Sequence, residues 1–273
     1  MSISLNGLLV LVGAGKMGGA MLEGWLASGA DPRKIVVLDP FVATEMKALL
    51  AQHDVALNPA IANITGVEVI LVAVKPQMME DVLPGIVSLG ASRPLILSVA
   101  AGKTIASFER HFGADAAIIR TIPNTPAAIG RGITAMFASA QVSASQLDLA
   151  SQLLGAIGEV VTVDREELID CVTAVSGSGP AYVFYMTECL AHAAEKIGIP
   201  PALAIKLARA TVAGSGELMR STGIDAATLR QNVTSPKGTT YAALQVLMAD
   251  DGMQPLFEKA VQAAAIRSKE LAS

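Results

Sequence analysis

"LLVLVGAGKMGGAML", residues 8–22, runs an apolar, partly β-branched stretch into a glycine-spaced turn and out again into a helical pattern. A continuous apolar run of this kind predicts a strand buried on both faces. Gly13, Gly15 and Gly18 stand in the G-x-G-x-x-G spacing. The first permits a tight turn, the second lets backbone approach a pyrophosphate, and the third lets the helix lie close to the sheet. The helix N-terminus then faces the anion, with Lys16 and Met17 inside the same turn and part of the expected cofactor-binding set. Taken alone, the stretch is also readable as a plain glycine-rich turn. Its place in a longer alternation decides between the two.

That alternation continues as "KIVVLD" at 34–39, "VEVILVAV" at 67–74, "PLILSVA" at 94–100 and "AAIIRT" at 116–121, each separated by a helical pattern. Buried strands alternating with helices predict a doubly wound parallel sheet of the Rossmann type over residues 1–163. "GITAMFAS" at 132–139 and "GEVVTVD" at 158–164 are expected to extend that sheet. After Asp164 the strands stop. Helical period is expected over 166–174, 180–197, 201–221, 225–231, 239–249 and 253–271, with separators such as "GIPPA" that place Pro at helix starts and Gly at helix ends. Residues 164–273 therefore read as an all-α domain. Its many small residues allow the close helix contacts of an intertwined dimer.

The bulk composition narrows the function. Hydrophobic residues make up 52% of the 273 and charged ones only 16%, an apolar excess that points to surface hidden against another subunit. A net charge of −4 with scattered basic residues gives no footprint for nucleic acid or a membrane surface. Charged residues such as Glu188, Glu195 and Lys196 interrupt the best candidate for a membrane span, and the apolar start lacks the basic region of a signal peptide. A cytoplasmic protein is expected. Cys171 and Cys189 have no metal-like spacing and fall in apolar helical stretches, so plain core packing is expected of them and no metal role.

Asp39 closes the second strand, where its carboxylate can accept from both hydroxyls of an adenine ribose and would repel a 2′-phosphate. This favours NADH over NADPH, although Asp-Pro is also ordinary turn chemistry. Arg33 and Lys34 precede the strand and are poorly placed to hold a phosphate. Ligands of open α/β sheets bind at the carboxyl ends of strands. Val74, Lys75 and Pro76 in "VAVKPQ", and Ala101 and Gly102 in "SVAAG", are therefore expected to line the cofactor, while Lys75 is also readable as a plain surface lysine.

"GAGKMG", "VAVKPQ", "SVAAG", "RTIPNTP" at 120–126, "VSGSGPAYVF" at 175–184 and "NVTSPKGTT" at 232–240 occur in this order, and together they resemble the pyrroline-5-carboxylate reductases over nearly the whole chain. The resemblance implies a Rossmann domain followed by a helical dimerisation domain like the C-terminal helices of 6-phosphogluconate dehydrogenase. It implies reduction of (S)-1-pyrroline-5-carboxylate to L-proline, the last step of proline biosynthesis, by NADPH or NADH. The active site is expected between one subunit's nucleotide domain and its partner's helical domain, in a homodimer that assembles further into a pentamer of dimers. Carried onto this chain, the resemblance assigns Ser235, Gly238, Thr239 and Thr240 to the substrate cradle. The Ser235 hydroxyl and backbone amides would hold the carboxylate, and Thr240 would stand beside the ring nitrogen; these two are the expected catalytic residues. The resemblance places Ser176 by the substrate and nicotinamide and Asn124 at the cofactor end of the cleft, while the first turn also reads as packing and the second as a plain Pro-bounded turn. From the loop alone, Ser235 and the threonines also read as helix caps.

Lys237 stands where family members commonly have glycine, and an ordinary right-handed or extended backbone is expected for it, with its side chain in solvent; direct pairing with the substrate carboxylate is the alternative. His53, His111 and His192 lie beside none of the motifs, and the chemistry needs no histidine acid. β-Hydroxyacid dehydrogenases share the glycine turn but use a lysine early in the interdomain helix, whereas "SGSGPAYVFYMTECLAHAAEK" has none before Lys196. A nucleotide-binding redox sensor is the non-catalytic rival.

Overall fold

The computed structural model describes residues 3–272 and divides into two compact units: the chain up to Gly177 together with the segment from Ala265 onward, and Ser178–Ala264. The expected boundary at 163/164, where the sequence pattern changes, is a different division of the chain from this one.

The first unit is built on an eight-stranded sheet of order β3-β2-β1-β4-β5-β6-β7-β8. Its strands are β1 (Leu8–Val12), β2 (Ile35–Leu38), β3 (Ala56–Leu57), β4 (Val67–Val72), β5 (Leu95–Ser98), β6 (Ile118–Ile122), β7 (Gly132–Ala138) and β8 (Gly158–Thr162). All neighbouring pairs are parallel except β6 with β7, where Arg120 faces Phe137. The two runs expected to extend the sheet do so as β7 and β8. The chain leaves β1 towards β2 and returns on its other side through β4, so the switch point of the topology falls at the end of β1.

Strand side chains alternate between two cores. Leu9 and Leu11 join Met21, Leu22 and Trp25 of α1 (Lys16–Ala27), Met46 and Leu50 of α2 (Thr44–Gln52) and Leu153 of α5 (Ala144–Gly155) on one face. Val10 and Val12 join Met79 and Leu83 of α3 (Met79–Ile86) and Phe108 of α4 (Ile105–Phe112) on the other. Continuous apolar strands follow from this, because neither face meets water. Trp25, the largest buried side chain, satisfies its indole by donating from Nε1 to the carbonyl of Leu153 at 2.8 Å.

A buried charge cluster ties the end of this unit together. Arg120 on β6 is 2% exposed; its Nη1 donates to Glu166 Oε1 at 3.2 Å and its Nη2 to Asp170 Oδ1 at 3.1 Å. Asp170 lies on α6 (Leu168–Val172) and also accepts from the hydroxyl of Ser268, while Glu166 accepts the Ile105 amide at the start of α4. One guanidinium thus joins β6, α4, α6 and the C-terminal segment. Beyond α6, Thr173–Gly177 winds as a single π turn, a form that sequence periodicity does not reveal.

The second unit contains α7 (Gly179–Lys196), α8 (Pro201–Thr222), α9 (Ala226–Asn232), α10 (Thr239–Leu247) and α11 (Met253–Ala272) up to Ala264. α7 packs on α8, and Tyr182 meets Phe257 edge to face at 6.5 Å. Among its described residues, the fully buried hydrophobic side chains are only Ala191, Ala204 and Ala208. Phe184, Tyr185, Val246, Met248 and Leu256 stand largely in solvent in the single chain. Cys171 and Cys189 are likewise exposed in the single chain, correcting the expected core packing: α6 and α7 turn those positions outward. No described helix is long and apolar enough to cross a membrane.

Removing Asp170 takes one of two carboxylates from the buried Arg120 guanidinium and leaves Glu166, at a cost of roughly 1.5–3 kcal/mol, that of a hydrogen bond to a charged group. Asp170→Ala is expected to lower the urea midpoint of the first unit's transition and to release protection of the amides near Ser268 in hydrogen exchange. An unchanged midpoint would show that the cluster contributes nothing net.

Candidate active site

Parallel strands deliver their carboxyl ends to one edge of the sheet, and the sequence motifs of the first unit lie there. Register places Val12 beside Leu38 and Val72, Val72 beside Ser98, and Ser98 beside Arg120. The loops that follow are laced together: Gly13 donates to the Leu38 carbonyl at 2.9 Å, Ala73 to Val12 at 2.8 Å and Val99 to Val72 at 3.1 Å. Gly13, Asp39, the Val74–Lys75–Pro76 loop and the Ala101–Gly102 loop are therefore brought to one edge. Glu80, on the first turn of α3, adds a link by pairing with Lys103 beyond Gly102, at 3.6 Å, and with His111 at 3.5 Å.

The glycine turn shows why its spacing is needed. Gly13 has φ +93°, and a Cβ on Gly18 would stand 2.1 Å from the Gly13 carbonyl oxygen, so only glycine lets α1 start this close to β1. A Cβ on Gly15 would meet nothing within 4 Å, which leaves the second glycine facing open space. Gly15 is also the N-cap of α1, with no side-chain cap and no acidic residue in the first turn. The orphan amides of α1 and the positive end of its dipole thus face that space, with exposed Lys16 beside them. These features fit the pyrophosphate of a dinucleotide.

Asp39 accepts the Ala14 amide on Oδ2 and the Phe41 amide on Oδ1, each at 2.8 Å, which sets its carboxylate against the glycine turn. Arg33 is engaged with Asp31 at 2.9 Å, and their hydrogen bond holds the Asp31 carboxyl below its usual range. Gly102 has φ +71°, and its Cα hydrogens face the backbone of Leu271 in the last helix, so this glycine also serves packing. Lys75 is exposed and precedes the short 3₁₀ turn Pro76–Met78 without capping it through its side chain.

Asn124 and Ser176 are brought together, though through the protein itself. The Asn124 Nδ2 donates to the Ser176 carbonyl at 3.1 Å and its Oδ1 accepts the Ile133 amide at 2.9 Å. Asn124 therefore pins the π turn to the start of β7. The Ser176 hydroxyl returns to the Val172 carbonyl at 3.2 Å.

In the second unit, Ser235, Gly238, Thr239 and Thr240 are consecutive with the start of α10. Gly238 is the N-cap in an extended conformation, and no side chain caps the helix, so Ser235 and the threonines are not acting as caps. The Gly238 amide donates to the Ser235 carbonyl at 3.0 Å, closing a turn with Pro236 and Lys237 at its centre. Lys237 has φ +59°, which corrects the expected right-handed or extended backbone. The reason is the turn: Pro at the second position with positive φ at the third is type II geometry, which glycine fits best. Ser235 and Lys237 are exposed, and the first amides of α10 have no acidic neighbour in the first turn. That combination can receive a carboxylate.

Sequence reasoning missed Asn58, whose side chain holds the backbone of Asp39, and the exposed ring of Phe41 beside it. Asn58-Pro59 marks a turn in the sequence, but nothing local says that its side chain reaches Asp39.

A family model described as pyrroline-5-carboxylate reductase dimerisation matches residues 166–271, and one described as NADP oxidoreductase, coenzyme F420-dependent, matches residues 8–102. The chain is 42% identical to a pyrroline-5-carboxylate reductase of Synechocystis over 275 residues, covering 99% of each protein. Among solved structures it is similar to a pyrroline-5-carboxylate reductase from Coxiella burnetii, with a TM-score of 0.90 and 32% identity over 98% of this chain and 100% of that one. It is also similar to a Plasmodium falciparum pyrroline carboxylate reductase with NADP bound, with a TM-score of 0.81 and 26% identity over 98% and 99% of the two chains. With the glycine turn, the uncapped α10 and the poorly self-buried helical unit all in place, relatives this similar over nearly their full length show that the chain belongs to the pyrroline-5-carboxylate reductase family.

Proposed function

We propose that this protein reduces (S)-1-pyrroline-5-carboxylate to L-proline, with NADH or NADPH as hydride donor, and works as a homodimer. The observation that carries the reading is full-length similarity to pyrroline-5-carboxylate reductases in a chain that keeps both an open glycine turn and an uncapped helix behind "SPKGTT".

A bound reduced nicotinamide supplies the hydride. The chain's own work is to hold and orient. The glycine turn and the first amides of α1 would bind the pyrophosphate, and Asp39 would receive the ribose hydroxyls. The first amides of α10 and the Ser235 hydroxyl would hold the substrate carboxylate, and Thr240 would hold the ring nitrogen. A protonated cyclic imine is already an electrophile: its carbon accepts the hydride, the C=N pair moves to nitrogen, and no side chain has to donate a proton in that step. Alignment and exclusion of water are then the main contributions.

Asp39 supports NADH as the preferred donor, since a carboxylate at that place opposes a 2′-phosphate. The proposal also includes the pairing that the resemblance implies, of one copy's glycine turn with its partner's Ser235–Thr240 segment, in dimers that form a pentamer, and a cytoplasmic setting suited to two free thiols.

Oxidation of NADH or NADPH should depend on added pyrroline-5-carboxylate, and binding of either cofactor without imine-dependent turnover would instead favour the sensor reading. Ser235→Ala is expected to raise the imine KM about tenfold and Thr240→Val to lower kcat by about 10–100-fold, as loss of hydrogen bonds to a charged group and to the reacting centre predicts. The cofactor KM should stay within about twofold in both. Mixed dimers of a Gly15→Trp chain with a Thr240→Val chain should hold one intact site and turn over well above either homodimer. Mixed dimers as inactive as the parents would place both halves of the site within one chain.

A further inference from the structure

Asn58 has no assigned role, and its placement gives it one. β2 ends at Leu38 and its edge partner β3 ends at Leu57, so the backbone of Asp39 has no ladder partner from a strand. The Asn58 side chain supplies one. Its Oδ1 accepts the Asp39 amide at 2.8 Å, its Nδ2 donates to the Asp39 carbonyl at 2.7 Å, and its own amide donates to Val37 at 2.8 Å. A side-chain amide thus stands in for one more rung of the sheet.

The residue type follows from two demands at once. Asn58 has φ +50°, in the left-handed region that asparagine tolerates better than most residues. Glycine would tolerate the backbone and lack the amide; glutamine or serine would bring a polar group of the wrong reach at a strained backbone. Held this way, the Asp39 carboxylate bridges the Ala14 and Phe41 amides, each oxygen accepting one N–H. An ionised carboxylate has about four acceptor positions, so each oxygen retains capacity for one hydroxyl of a vicinal diol. The Phe41 ring beside it is 82% exposed, an apolar face with no covering in the chain.

We infer that Asn58 is the positioning residue of the adenosine-ribose subsite: by extending the sheet by one side-chain rung, it fixes the Asp39 carboxylate as an acceptor for an unphosphorylated ribose. The inference rests on the Asp39 reading given under Proposed function. Asn58 itself touches no cofactor; it acts through Asp39.

The test is a double-substitution cycle read by direct binding as well as turnover. NADH affinity is measured by the cofactor's own fluorescence for the wild type, Asn58→Gly, Asp39→Ala and the pair. Asn58→Gly keeps the left-handed backbone and removes both hydrogen bonds. It should weaken NADH binding about tenfold in the wild-type background and less than about twofold when Asp39 is already alanine, because the two residues act as one unit. Its kcat at saturating NADH should stay within about twofold, and NADPH binding should change less than NADH binding, so discrimination falls. If Asn58→Gly does not fold, Asn58→Asp, which tolerates the same left-handed backbone but cannot donate to the Asp39 carbonyl, is read in the same way. Unchanged NADH binding by a folded variant, or an equal loss in both backgrounds, overturns the role of Asn58 while leaving Asp39 intact. A wild type that binds NADPH better than NADH, or an Asp39→Ala variant that binds NADH normally, overturns the Asp39 reading and this inference with it.

Discussion

Apolar surface that a polypeptide cannot bury on itself has to be covered by something else, and the helical unit of this protein is governed by that constraint. Between Ser178 and Ala264 its fully buried hydrophobic side chains are three alanines, while phenylalanine, tyrosine, leucine and methionine side chains stand in solvent. Burying an exposed leucine or phenylalanine contributes roughly 1.5–3 kcal/mol, so leaving so many uncovered is incompatible with a stable independent unit. The match of residues 166–271 to a dimerisation family model fits a second copy as that cover. This accounts for an apolar content of 52% in a chain with no membrane-spanning helix among its described residues.

The first unit obeys the opposite logic. The central strands β1, β4, β5 and β6 of its sheet are buried on both faces within the single chain, and the carboxyl edge is free to carry loops. What keeps those loops in place is mostly hydrogen bonding between backbone and a few committed side chains: Asn58 on Asp39, Asn124 on Ser176 and Ile133, Glu80 on Lys103. Arg120 extends this order from the sheet to α6 and Ser268. A binding surface made of bare amides needs such support, because the amides contribute to binding only when they are already aimed.

Much of this was legible in the sequence, for identifiable reasons. Strands buried on both faces write themselves as continuous apolar runs, so β1, β2, β4, β5 and β6 stood out, and Pro and Gly marked the helix ends of the second half. The two-residue β3 left no pattern, and a π turn has no periodicity that distinguishes it from the helix it follows. The exposure of Cys171 and Cys189 was missed because an apolar neighbourhood in sequence does not say which face of a helix meets the core. Lys237 is the instructive error. Ser235, Pro236 and Gly238 are the residues a type I turn favours at its first, second and fourth positions, so that frame did not signal the positive φ of Lys237; the signal was the glycine that family members commonly have in its place. Of the site, the glycine turn and the start of α10 were visible as motifs. The partners that orient them were not, because a side chain bonding to backbone 19 residues away leaves no local trace.

The claim that the helical unit obtains its core from a second copy is tested most directly by sedimentation equilibrium across a wide concentration range, with helicity followed by circular dichroism on the same samples. A dimer, or a multiple of it, at every concentration at which the helical signal persists is the predicted result, with helicity lost wherever dimers dissociate. A helical monomer that keeps its full signal and sediments as a single chain would contradict it.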